Sequence, residues 1–174
     1  RWCPQPEDHL VRLHFSSGTT GSPKQMARSA AVHRFRIQQF QQKENYPPSS
    51  RYLIFHGGFT VQAVYGRACA CLRSGGCCVD AGADTVQALE TMGITHLAMM
   101  PLALQHLLES LPAKMAKPKG LTLSTFGGPI SPALRQAAMK RLATRMVVSY
   151  GTNEIGSIAT IVEDGVGLLL PGIE

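Results

Sequence analysis

The chain has 174 residues, 44% of them hydrophobic, and a formal net charge of +6. That length suits one domain with a full core, and the absence of any apolar run of about 18 residues excludes a membrane-spanning helix in this stretch. The basic residues are scattered, and their densest groups ("RFR", "KMAKPK", "KRLATR") sit at helix ends or on helix faces, which speaks against a nucleic-acid surface and for a share in holding an anionic ligand.

In chain order, "LVRLHF" alternates apolar and polar residues and predicts a strand that ends at a loop rich in Gly, Ser and Thr, "FSSGTTGSPK" (residues 15–24). "KQMARSA" is ambiguous and could form a short strand. "VHRFRIQQFQQKEN" has few breakers and predicts a helix stopped by Pro47 and Pro48. "RYLIFHG" predicts a strand, "TVQAVYGRACACLRSG" a helix and "GCCVDA" a short buried strand. "DTVQALETMG" predicts a helix with Asp84 as N-cap and Gly93 as its stop. "THLAMMP" predicts a strand, "LALQHLLESL" a helix and "LTLSTFGG" a strand. "SPALRQAAMKRLA" predicts a helix, with Ser131 as N-cap and Pro132 in its first turn. "RMVVSYG" and "SIATIVE" predict two more strands around the loop "TNE".

Strands alternating with helices predict an α/β fold: a three-layer α/β/α arrangement with a mostly parallel sheet. Right-handed crossovers then place the strand C-termini on one edge, where ligands of open α/β sheets bind. Four polar or Gly-rich loops are expected there: "SSGTTGSPK", "FHGG", "GGPIS" and "YGTNE".

Four of the five cysteines lie in "CACLRSGGCC", with Cys3 apart. Their spacing is not a usual zinc pattern, and the odd count argues against a disulfide framework. They read as reduced core thiols of a cytoplasmic protein.

The loop at residues 16–24 is not a Walker A loop, because Pro23 stands where the second Gly would be and Gln25 where Ser or Thr would hold magnesium. Nor is it a dinucleotide fingerprint, whose glycine spacing differs. Its chemistry nevertheless suits phosphate: glycines let backbone N–H groups converge on an oxyanion, hydroxyls add donors, and Lys24 adds a charge.

These motifs carry a resemblance. "SSGTTGSPK" resembles the signature of the adenylate-forming superfamily, which includes acyl- and aryl-CoA synthetases, adenylation domains of peptide synthetases and luciferases. "FGGPIS" resembles that family's adenine-side loop, "SYGTNEIG" its Tyr-Gly-x-Thr-Glu motif with Asn153 where Thr is commoner, and "FHGG" the segment lining the acyl pocket. The resemblance spans residues 10 to about 156. It implies ATP-dependent attack of a carboxylate on the α-phosphorus, giving an acyl-adenylate and pyrophosphate, then transfer to coenzyme A or to the phosphopantetheine of a carrier protein. It implies that Ser16, Ser17, Gly18, Thr19, Thr20, Gly21, Ser22 and Lys24 cover the β- and γ-phosphates. Tyr150 would stack on adenine, with Gly127, Gly128 and Pro129 as the opposite wall. Gly151 and Thr152 would lie at the α-phosphate, and Glu154 would hold Mg²⁺. Lys24, Thr152 and Glu154 are thus the implied catalytic groups. His56, Gly57 and Gly58 would face the carboxylic acid substrate. His14, His33, His96 and His106 read as structural.

Amino-acid-activating members usually carry an Asp near "FHGG" to pair the substrate ammonium. No acidic residue occurs between Arg51 and Cys78, so a fatty or aromatic acid with an uncharged tail is favoured over an amino acid. Ala30 stands where many relatives have His. Residues 1–174 are expected to be the central ATP/AMP-binding subdomain of a longer enzyme, a ligase of the acid–thiol type, without its N-terminal part, hinge and C-terminal lid. An adenylation domain loading an acyl carrier protein, or a non-catalytic nucleotide-binding module, are the alternatives. No nucleic-acid partner is expected.

Overall fold

A computed structural model of the chain describes residues 6–16, 24–55, 59, 61–82, 84–162 and 167–169. Its elements run β1 (Leu10–Ser16), β2 (Lys24–Ser29), α1 (Ala30–Glu44), β3 (Arg51–Ile54), α2 (Gln62–Arg73), β4 (Cys77–Asp80), α3 (Thr85–Thr91), β5 (His96–Met99), α4 (Pro101–Ser110), β6 (Thr122–Thr125), α5 (Pro132–Arg141), β7 (Arg145–Thr152), β8 (Gly156–Val162) and β9 (Gly167–Leu169). A seven-stranded sheet has the order β4-β3-β5-β6-β7-β8-β9. Its first five strands are parallel, and β8 and β9 add antiparallel to one side. The fold is the mostly parallel α/β architecture that the strand–helix alternation predicts.

Local chemistry sets the boundaries. The Asp84 carboxylate accepts from the Gln87 N–H at 2.8 Å, and the Ser131 hydroxyl from the Leu134 N–H at 3.2 Å, capping α3 and α5 as expected. Helix α1 starts where the Ser29 hydroxyl accepts from the Val32 N–H at 3.4 Å and ends at Asn45, whose φ of 54° is left-handed.

Alternate residues of each parallel strand feed two cores, one on each sheet face. Leu53, Leu97, Met99, Leu123 and Met146 pack with Ala88 and Leu89 of α3, Leu104, Leu107 and Leu108 of α4, and Ala138 of α5. Tyr52 and Ala98 pack on the opposite face with Ile37 of α1 and Val64, Ala68 and Cys71 of α2. This second face also buries charge. The Glu44 carboxylate accepts from Arg67 Nε at 2.8 Å and from the Tyr46 hydroxyl at 2.7 Å. His96 stacks on Tyr46 with ring centroids 4.3 Å apart, and its Nε2 lies 3.3 and 3.2 Å from the Glu44 and Asn45 carbonyls, joining the end of α1 to β5.

One expectation is corrected. The Gly-rich loop does not follow a strand of the main sheet; β1 and β2 form a separate antiparallel pair, with Ser16 opposite Lys24 at its end. The reason lies in the alternation of "LVRLHF". In β1, Leu13 and Phe15 are exposed while His14 is buried, whereas all four residues of the central strand β5 are buried. A strand with one wet face does not suit the middle of a helix-covered sheet. The hairpin still reaches the expected edge. Arg12 Nη2 donates to the Phe59 carbonyl at 2.6 Å, beyond β3, and Arg28 Nη2 donates to the Asn153 carbonyl at 2.5 Å, beyond β7. Strand β9 is additional to the sequence reading. Cys77 is exposed on the edge strand β4 rather than a core thiol; Cys71 is buried, and Cys69 and Cys78 are half-buried. Among the described residues, no helix is long and apolar enough to cross a membrane.

Candidate active site

The site is organised around the tight turn between β7 and β8. Strand β7 bulges at Tyr150–Gly151, and a side chain at Gly151 would run into the Gly156 carbonyl, so only glycine fits there. The Thr152 hydroxyl oxygen accepts from the Ile155 N–H at 3.1 Å and closes the turn. Two arginines hold it from below. Arg36 of α1 donates to the Asn153 carbonyl at 3.1 Å and to the Glu154 carbonyl at 2.5 Å, while Arg28 of β2 shares the Asn153 carbonyl. Satisfying these carbonyls fixes the turn backbone and leaves the side chains of Thr152, Asn153 and Glu154 at the surface.

The electrostatics beneath the turn are strongly cationic. Arg28 is 3% exposed, and its Nη2 also lies 3.1 Å from His14 Nε2. Burial, with Arg36 and Arg12 close by, brings the Arg28 pKa down to about 10. Burial, reinforced by Arg28, Arg12 and Arg36, lowers that of His14, which suits a neutral imidazole accepting from Arg28. Burial also lowers Arg36, against the attraction of Glu154.

Of the residues singled out in the sequence, Gly127, Gly151 and Thr152 come together in one cavity of about 380 Å³, between α1, α2 and the ends of β6–β8. Gly127 has a φ of 80° and turns the chain over Met100; Gly128 and Pro129 continue that loop at the surface. Tyr150 stands 69% exposed beside the turn, free of the core. Glu154 is exposed at the tip of the turn, and Lys24 is exposed where β2 begins. Ser16 ends β1 opposite Lys24. Ser17, Gly18, Thr19, Thr20, Gly21, Ser22, His56, Gly57 and Gly58 lie outside the described residues.

The sequence reading missed Arg28, Arg36 and Arg67, all of which line the cavity. "RFR" reads as charge on a helix face, yet its two arginines face opposite ways. Arg34 meets Glu7 at 3.2 Å in an exposed ion pair, and Arg36 is buried. The signal was positional: Arg36, Phe40 and Lys43 or Glu44 recur at helical spacing on the face that Ile37 buries. His14, read as structural, lies against Arg28 of this group, its Nε2 3.1 Å from Arg28 Nη2.

Among the described residues no three His, Cys, Asp or Glu side chains converge on a point. A single exposed carboxylate such as Glu154 suits Mg²⁺, which keeps waters and takes one or two carboxylates together with phosphate oxygens. An exposed Tyr150 beside a Gly-Gly loop likewise leaves space for a flat ring to stack.

The family model described as "AMP-binding enzyme" matches residues 2–174. Comparison with curated proteins yields no match. Among solved structures, an E. coli MenE variant with bound OSB-AMS is 21% identical with a TM-score of 0.78, covering 99% of this chain and 38% of its own. VinN is 18% identical with a TM-score of 0.83, covering 99% and 46%. Bacillus subtilis MenE, an O-succinylbenzoate coenzyme A synthetase in complex with ATP and magnesium, is 19% identical with a TM-score of 0.77, covering 91% and 34%. The chain therefore spans less than half the length of each of these neighbours. The likeness in fold agrees with the family match over nearly every residue, and the chain belongs to the AMP-binding enzyme family, the adenylate-forming enzymes its motifs resemble.

Proposed function

We propose that the protein containing this chain activates a carboxylic acid with ATP, forming an acyl-adenylate and releasing pyrophosphate, and then passes the acyl group to a thiol, with coenzyme A as the favoured acceptor and a carrier-protein phosphopantetheine as the alternative. The observation that carries this reading is the juxtaposition at one sheet edge of Thr152, Glu154, Tyr150, the Gly127–Gly128 loop and a cationic cavity. The fold-level neighbours include one solved with ATP and magnesium and one with OSB-AMS, which agrees with it.

The reaction brings two anions together, so its main demand is to orient and neutralise charge. Thr152, on a turn fixed by Arg28 and Arg36, would donate to the α-phosphate, and Gly151 would let the phosphate approach the backbone. Lys24, with the loop that starts at Ser16, would neutralise the β- and γ-phosphates. Tyr150 and Gly127–Pro129 would hold adenine between them. Glu154 would hold Mg²⁺, which when bound supplies positive charge to the phosphate oxygens. The acid would occupy the cavity, with His56, Gly57 and Gly58 as its proposed neighbours. Among the described residues no Asp or Glu lines that cavity, which disfavours an amino acid's ammonium and favours a fatty or aromatic acid. At about 380 Å³ the cavity is at the small end of ligand sites, which favours a short chain or a single ring.

The test is acid-dependent exchange of labelled pyrophosphate into ATP, measured on the full-length protein across a panel of acids. Exchange is expected with carboxylic acids and magnesium. In Glu154→Gln, which keeps size but loses charge, it is expected to slow by roughly ten- to a thousandfold, about 1.4–4 kcal/mol, with a raised magnesium requirement. Absence of exchange with every acid overturns the reading; a Gln variant with unchanged magnesium dependence removes Glu154 from the metal.

A further inference from the structure

Ser149 and Ser157 line the cavity and share one buried lysine. Lys43 Nζ of α1 donates to the Ser149 hydroxyl at 3.2 Å and to the Ser157 hydroxyl at 2.6 Å. Both side chains therefore lie on the α1 side of the sheet, where the cavity is. An ammonium has three donors and no acceptor, so while Lys43 is charged neither serine can give its proton to it. Each hydroxyl accepts from Lys43 and keeps its own proton for another acceptor. Among the described residues neither hydroxyl donates to a protein acceptor. Bridged by one nitrogen, the two oxygens are close enough for a single ligand atom to accept from both. The arginines of the wall are engaged elsewhere. Arg28 and Arg36 donate to carbonyls of the β7–β8 turn, and Arg67 is neutralised by Glu44.

The position of the pair narrows what it can meet. Ser157 stands opposite Gly151, and Gly151 directly precedes Thr152. Ser149 lies three residues before Thr152 on β7. At a strand rise of about 3.3 Å per residue, the two serines sit about 3–10 Å along the sheet from Thr152. Thr152 is where the proposed reaction places the α-phosphate and, with it, the reacting carboxylate. Hydroxyls so placed meet the first atoms beyond that carboxylate rather than the far end of the acyl chain. Phe40, Phe126 and Ala63 supply apolar wall for the rest of the acid.

We infer that the acid activated here carries an uncharged oxygen, a carbonyl or hydroxyl, on one of the first two carbons beyond its carboxyl group, and that this oxygen accepts from Ser149 and Ser157. Lys43 acts through them as a positioning residue: by donating to both oxygens it turns both protons toward the ligand. The inference rests on the adenylation reading and narrows its fatty or aromatic acid to a 2-oxo, 2-hydroxy or 3-oxygenated acid, or an aromatic acid hydroxylated beside its carboxyl group. A plain hydrocarbon chain at that place would cover two hydroxyl donors without giving them an acceptor, which is costly.

The experiment uses the full-length protein and acid-dependent pyrophosphate exchange with two matched pairs: hexanoate against 2-oxohexanoate, and benzoate against 2-hydroxybenzoate. A fifth acid, 4-hydroxybenzoate, carries its oxygen far from the carboxylate. The wild type is expected to favour the oxygenated member of at least one pair by about ten- to a hundredfold in kcat/KM, and to gain nothing from the 4-hydroxyl. Ser149→Ala and Ser157→Ala each leave Lys43 one hydroxyl partner, and each is expected to lower that ratio about three- to tenfold. Comparing ratios between proteins removes the acids' own difference in reactivity. Lys43→Met/Ser149→Ala/Ser157→Ala replaces the whole polar group by apolar atoms, so that no charge is stranded, and decides the matter if a single variant fails to fold. Its ratio is expected to approach that of the acids' intrinsic reactivity, the same for either single variant's remaining preference removed. A wild type that uses the plain acids as well as the oxygenated ones, or that prefers 4-hydroxybenzoate to 2-hydroxybenzoate, overturns the inference and leaves adenylation standing. An unchanged ratio in a folded variant overturns the role of the serines. Exchange with other acids but none of these five also overturns this inference alone; exchange with no acid at all overturns the adenylation reading with it.

Discussion

Lys43 shows how a single residue carries the tension of this fold. It is 8% exposed on α1, and its ammonium meets only the two serine hydroxyls among its hydrogen-bond partners in the described residues. Burial, with the repulsion of Arg67 and only partial relief from Glu44, brings its pKa down to about 7. The sign of the consequence follows from linkage. An unfolded lysine titrates near 10.4. Between about pH 7 and that value the unfolded chain binds more protons than the folded one, so Lys43 makes stability rise with pH across this window. Raising the pH from 7 to 8.5 is expected to increase the melting temperature of the wild type relative to Lys43→Met. A pH-independent difference between the two proteins contradicts the depressed pKa. Glu44, one residue on, moves the other way from what its surroundings alone would give: full burial pushes its pKa up, but Arg67, Lys43 and the Tyr46 hydroxyl outweigh that and hold it below the usual carboxylate range.

At the scale of an element, the β7–β8 hairpin is the part whose geometry the chemistry needs most. The bulge at Gly151 re-aims the strand end so that Thr152 closes the turn and Tyr150 faces outward. In Gly151→Ala the added methyl meets backbone atoms of Gly156 and Ser157, which cannot move aside as a side-chain tip can. Overpacking of this kind costs about 1–3 kcal/mol. The variant is expected to melt earlier and to form adenylate more slowly than a stability loss alone explains, because Thr152 and Glu154 shift with the turn. Wild-type stability and rate together refute the assigned geometry. How much of this element could be read in the sequence differs by residue. The motif "YGTNE" and both strands were legible because glycine, a turn tripeptide and β-branched runs act locally. The arginines that clamp it were not, because the sequence separations from Arg28 and Arg36 to Asn153 are 125 and 117 residues, and no local pattern reports such a contact.

At the scale of the whole molecule, alternation of strands and helices made the parallel sheet legible, since β3, β5, β6 and β7 are short runs set between helices, of which α3 and α5 carry side-chain caps readable in the sequence. The hairpin β1–β2 was not, because an alternating strand suits either a sheet edge or a separate pair, and only tertiary contacts choose. The cation-rich cavity escaped notice for a related reason: Arg28, Arg36 and Arg67 come from three elements, and burial turns dispersed charge into one site. What unites these parts is the claim that a carboxylate attacks the α-phosphorus at the β7–β8 edge. The most direct measurement supplies the full-length protein with ATP, magnesium, a thiol acceptor and a carboxylic acid labelled with ¹⁸O in its carboxylate, and follows the label by mass spectrometry. Attack at the α-phosphorus makes the labelled oxygen the bridge between acyl carbon and phosphorus. Thiol attack at the acyl carbon then breaks the carbon–oxygen bond and leaves that oxygen on AMP. The account predicts one labelled oxygen in each AMP and none in pyrophosphate; unlabelled AMP, or label recovered in inorganic phosphate alongside ADP, contradicts it.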